Sequence, residues 1–109
     1  MSDVIALIFD FDDTLASDST SGFLESIGVD TASFWKDEVD PLLSKQDWDP
    51  VPAYLYKMIQ LSQAGTHGRI TQQRLQEWGS RLELHDGVPT LFQRLRAAVR
   101  AEQPQVQLE

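Results

Sequence analysis

An apolar run that stops at three carboxylates and a threonine sets the terms for this chain: Ile5-Ala6-Leu7-Ile8-Phe9-Asp10-Phe11-Asp12-Asp13-Thr14-Leu15. From Val4 to Phe9 no polar residue alternates with the apolar ones, so the run reads as a strand buried on both faces, as central parallel strands are. Such a strand needs neighbours for its backbone groups, because a lone strand is not stable. Asp10 begins the polar end, and open α/β sheets place their chemistry at the carboxyl ends of strands. If the extended backbone continues two residues further, Asp10 and Asp12 share a face, roughly 7 Å apart at ~3.3 Å per residue, and Asp13 points the other way. Their repulsion is on the order of 2 kcal/mol at an effective dielectric near 20, with no basic residue close in sequence to offset it. A hard divalent cation such as Mg²⁺ would compensate, since it takes oxygen ligands and is held by one or two carboxylates. The blander readings of Asp12 and Asp13 are a helix cap or a turn after a strand. A calcium loop is excluded: Leu15 stands where that loop needs glycine, and Ser21 where it needs a bidentate Glu.

Length and charge narrow the field further. The 109 residues suffice for one small domain or part of a larger one. A net charge of -8 argues against unaided binding to nucleic acid or to an anionic membrane. The sequence contains no cysteine, so there is neither a disulfide framework nor a thiolate metal site. The start of the chain is too short and too acidic for a signal peptide, and no apolar run approaches ~18 residues. A cytoplasmic protein is the expectation.

Beyond the acidic loop the pattern turns helical. Phe23, Leu24 and Ile27 form a short stripe closed by Gly28, and Asp30 caps a second helix carrying Phe34, Trp35, Val39, Leu42 and Leu43. Pro41 is expected to break or kink that helix, ending it near Val39, with a restart capped by Asp40. Asp49-Pro50 opens a helix whose buried side reads as Tyr54, Leu55, Met58, Ile59 and Ser62, ending at Gly65. Thr71 caps another, with Leu75, Trp78 and Leu82 inside. After His85-Asp86-Gly87, Pro89 sits at the start of a helix with Val88, Leu91, Phe92, Leu95 and Val99 at near-ideal spacing. Val106-Gln107-Leu108 then enters a strand. An insertion of about sixty helical residues straight after the first strand is too long for an ordinary βα connection. It reads as a helical module interrupting a doubly wound α/β core. Since only one strand end follows, the expectation is an incomplete fragment: the N-terminal part of a longer fold.

The stretch Ile8-Phe9-Asp10-Phe11-Asp12-Asp13-Thr14-Leu15 resembles the first motif of the haloacid dehalogenase-like (HAD) hydrolase superfamily, an apolar strand followed by Asp-x-Asp-x-Thr/Val. Glu83-Leu84-His85-Asp86-Gly87-Val88-Pro89 is similar to the return to the core in members whose helical cap is inserted after that motif. The resemblance implies an α/β, Rossmann-like core, of which this chain holds the first strand and the returning helix, with an all-helical cap between. The segments it implies are 1–21 (first strand and catalytic loop), 22–84 (cap) and 85–109 (return to the core, cut before the second motif).

It also implies roles. Asp10 would be the nucleophile, forming a covalent aspartyl intermediate. Asp12 would be the general acid for the leaving oxygen and then the base for water. The Asp10 side chain and the Asp12 backbone carbonyl would hold Mg²⁺, which neutralises charge on the transferring group. Thr14 would support the loop through its hydroxyl; Asp13 has no assigned role, and no substrate-binding residue is assigned. A carboxyl at Asp12 favours phosphatase over dehalogenase chemistry, so the substrate expected is a small phosphorylated metabolite rather than nucleic acid or membrane. The second, third and fourth motifs would lie beyond Glu109, leaving this chain by itself inactive. The alternative is a non-catalytic, truncated domain that serves as a binding or interaction module. His67 and His85 read as ordinary loop histidines, and Arg94, Arg96 and Arg100 as a solvated helix face.

Overall fold

A computed structural model describes residues 3–109; residues 1 and 2, the start of the expected first core segment, lie outside that range. Most of the described chain is helical, with one small parallel sheet. It divides into two compact units, one formed by residues 3–18 with Glu83–Glu109, the other by Ser19–Leu82.

In the first unit, β1 (Asp3–Ile5) pairs in parallel with β2 (Val106–Leu108), in the register Asp3 with Val106 and Ile5 with Leu108. The ladder runs on a little past both strands. Glu109 N–H donates to the Ile5 carbonyl at 2.8 Å and Leu7 N–H to the Glu109 carbonyl at 2.7 Å. Parallel strands need a crossover, and α6 (Val88–Glu102) supplies its last limb. Gly87, at φ 86°, turns the chain into α6, and Pro89 sits in the first turn, where its missing N–H costs no hydrogen bond. Phe92 of α6 meets Phe9 edge-on, with ring centroids 5.5 Å apart, so the Phe9 side of the strand faces this helix.

The other side of the strand is bare. Ile8 is 95% exposed and Val4 56%. The expected strand, buried on both faces from Val4 to Phe9, is therefore corrected. Its paired part is three residues long, one helix covers one side, and the described residues supply no second layer.

The second unit closes on itself. Its elements are α1 (Ser19–Ser26), α2 (Thr31–Ser33), α3 (Asp40–Gln46), α4 (Pro50–Ala64) and α5 (Gln72–Arg81). Phe23, Leu24, Phe34, Val39, Leu42 and Ala53 are buried together as its core. Each large apolar side chain so buried contributes about 1.5–3 kcal/mol. Two indoles tie the start of α1 into this core: Trp78 Nε1 donates to the Ser19 carbonyl at 3.1 Å and Trp35 Nε1 to Ser21 Oγ at 2.9 Å. Gly22 lies flat under Trp78; a Cβ there would stand 2.6 Å from the ring.

Two local expectations change. The change of element falls between Val39 and Asp40, as expected, but the backbone stays helical through it and Val39, not Asp40, holds the cap position of α3. Phe34–Val39 winds as a π-helix, and Asp40 N–H reaches back to the Trp35 carbonyl. Proline has no N–H to continue the α ladder, and the wider turn carries the chain past that gap into α3 without a stop. On α4 the buried side is Ala53, with Tyr54, Met58 and Leu61 packed against the core, whereas Leu55 and Ile59 face outward at 46% and 55% exposure. Leu75 of α5 is likewise exposed rather than inside. Among the described residues no helix is long and apolar enough to cross a membrane.

Candidate active site

The acidic stretch occupies a turn that is defined almost entirely by backbone. Thr14, Leu15 and Ala16 all donate their N–H groups to the Phe11 carbonyl, at 3.2, 2.9 and 3.2 Å. Such a curl requires one residue to leave the extended and right-handed regions, and Asp13 does so at φ 59°. Aspartate tolerates that left-handed conformation better than most residues. Asp12, just before it, makes a bridge with Ala16, so the extended run from β1 gives way between Asp12 and Asp13.

The returning segment clamps this turn from the other side. Ala16 also bridges Leu84 in antiparallel fashion, and His85 N–H donates to the Leu15 carbonyl at 2.8 Å. Ala16 is completely buried at the centre of this clamp. Val88 N–H then donates to the His85 carbonyl at 3.1 Å, which leads directly into α6. The carboxylates are thus held on a short turn braced by residues roughly seventy positions later in the chain.

Asp10 and Asp13 are exposed, and Asp12 is half-buried. The Asp10 carboxylate makes no hydrogen bond or ion pair with a described residue, whereas Asp12 has a partner. Thr14 enters the turn through its backbone N–H. Two hollows in this unit, one of about 250 Å³ between Leu7, Phe92, Leu95 and Leu108 and one of about 310 Å³ between Arg96, Arg100, Val106 and Leu108, include neither Asp10 nor Asp12 in their linings. Among the described residues no group of three or more His, Asp or Glu side chains is arranged to hold a metal ion. What Asp10 and Asp12 offer is carboxylate and carbonyl oxygen, the hard donor type that Mg²⁺ prefers, in the small number that proteins usually supply to it.

Compared with family models, with curated proteins and with solved structures, the chain gives no match.

Sequence reasoning picked out the carboxylates and missed what positions them. Ala16, Leu84 and His85 act through backbone groups, and a backbone donor or acceptor carries no residue-type signal. The stretch from Glu83 to Pro89 stood out through its resemblance, as the return to the core, but not for its backbone pairing with Leu15 and Ala16.

Proposed function

We propose that this chain is the N-terminal part of a Mg²⁺-dependent, HAD-like phosphatase that acts on a small phosphorylated substrate. The observation that supports it is the placement of Asp10 and Asp12 beyond a parallel strand, in a turn braced by the segment that returns into α6. Asp10 Oδ attacks phosphorus while the bond to the leaving oxygen breaks, giving an aspartyl phosphate. Asp12 donates the proton that the leaving oxygen needs, then removes one from the water that hydrolyses the intermediate and restores Asp10. The Asp10 carboxylate and the Asp12 carbonyl would hold Mg²⁺, which supplies charge neutralisation for the phosphoryl oxygens. The bare, apolar side of β1 supports the idea that further strands and helices complete this core.

The test is to express the complete product of the coding sequence and assay it with an aryl phosphate and Mg²⁺. We expect phosphatase activity that Asp10→Asn lowers by at least roughly 10³-fold, as loss of a covalent nucleophile does. Activity retained in Asp10→Asn overturns the nucleophile assignment. A second reading, a non-catalytic binding module, draws on the exposed apolar residues of both units. Absence of turnover in the complete product, with no Mg²⁺-linked rise in Tm, would favour it.

A further inference from the structure

The side chain of Asp13 has no part in the proposed reaction; its backbone is what is unusual. Among the described residues only Asp13 and Asp47 take a positive φ without being glycine. Asp47, at φ 56°, is accounted for, because it closes α3 and left-handed residues commonly end helices. Asp13, at φ 59°, stands in a turn instead. Its carboxylate is exposed and makes no hydrogen bond or ion pair with a described residue, so the side chain does not hold that conformation. The convergence of the Thr14, Leu15 and Ala16 N–H groups on the Phe11 carbonyl holds it.

That conformation bears directly on Asp12. Peptide units are rigid planes, so the two dihedrals of Asp13 are the joint between the unit that Thr14 N–H pins and the unit that carries the Asp12 carbonyl. A return of φ from 59° to the ordinary value of about -60° would turn one unit against the other by about 120°. The pinned side cannot follow without losing its bonds to Phe11, and Asp12 is itself bridged to Ala16. We infer that Asp13 is a positioning residue: its left-handed backbone, not its carboxylate, sets the orientation in which the Asp12 carbonyl is offered to Mg²⁺. Aspartate and asparagine enter the left-handed region more readily than other residues with a Cβ, and β-branched residues are outliers there. This inference rests on the phosphatase reading, which gives that carbonyl to the metal.

The test compares Asp13→Gly, Asp13→Asn and Asp13→Val in the complete product of the coding sequence. All three remove the same carboxylate, so a difference among them reports the backbone preference of the new residue. The readout is the Kd for Mg²⁺, taken from the dependence of Tm on Mg²⁺ concentration, which needs no turnover. Glycine and asparagine both tolerate positive φ, so Asp13→Gly and Asp13→Asn should agree within about threefold. Asp13→Val should raise Kd at least roughly tenfold above Asp13→Asn, the scale on which groups that orient a metal ligand act. Should Asp13→Val fail to fold, Asp13→Ala carries the same expectation, because a Cβ alone disfavours that region. Asp47→Gly, at the other left-handed aspartate, should leave Kd at the wild-type value. A wild-type protein whose Tm does not respond to Mg²⁺ overturns the phosphatase reading and this inference with it. A wild-type response with equal Kd values in the three Asp13 variants overturns the inference alone.

Discussion

The two units of this protein spend their apolar residues differently. In the helical unit Leu24 and Val39 are fully buried, and aromatic side chains from three different elements close over them. In the sheet unit a more apolar stretch, Val4 to Phe9, leaves Ile8 almost wholly in solvent, and the buried hydrophobics are Ala16 and Val88. Hydrophobicity alone does not predict burial; burial requires an opposing layer. The helical unit contains its own opposing layers, because amphipathic helices joined by short loops fold back on one another. A parallel strand depends on crossover partners on both edges and both faces, and here it has one of each.

Leu24→Ala should show the largest effect, a loss of about 3 kcal/mol, since it opens a cavity in a core that cannot easily collapse. Urea denaturation followed by tryptophan fluorescence would report it, because Trp35 and Trp78 pack against that core. A cost below ~1 kcal/mol would mean that the helical unit is loosely packed in solution and would erase the contrast. Ala16→Leu tests the sheet unit at its one tightly closed point. Overpacking between the acidic turn and Leu84 should cost about 1–3 kcal/mol. It should also raise the hydrogen-exchange rates of the Leu15, Ala16 and His85 amides ahead of those in α4. Ile8→Thr should be smallest, within about 0.5 kcal/mol, because a side chain already in water loses little burial. A large destabilisation there would sharpen the comparison differently, by showing that the bare side of β1 is covered in solution.

Much of the local structure was legible in the residues themselves. Asp30 accepts a hydrogen bond from Ser33 N–H at 3.3 Å, and Thr71 from Arg74 N–H at 3.2 Å, as capping side chains should. Gly28, Gly65 and Gly87 each take the positive φ for which glycine is suited. The parallel placement of Val106-Gln107-Leu108 beside the first strand follows from a strand–helix–strand order. Pro41 marked the boundary between Val39 and Asp40 correctly but not its form: its missing N–H allows a break or a wider turn, and packing of Phe34 and Val39 into one core goes with the second. Leu55 and Ile59 were misleading. α4 is apolar over most of its surface, so periodicity could not tell which stripe turns inward.

For the candidate site, the sequence determined the chemistry on offer: carboxylates at Asp10, Asp12 and Asp13, a threonine, and no compensating base close by. Those are properties of side chains, and side chains are what a sequence specifies. Only the tertiary structure decided how the turn is held, with three N–H groups on one carbonyl, Asp13 left-handed, and Ala16 clamped between Asp12 and Leu84. Those are backbone interactions over long separations, identical in kind for every residue type. Their partners are set by the path of the chain.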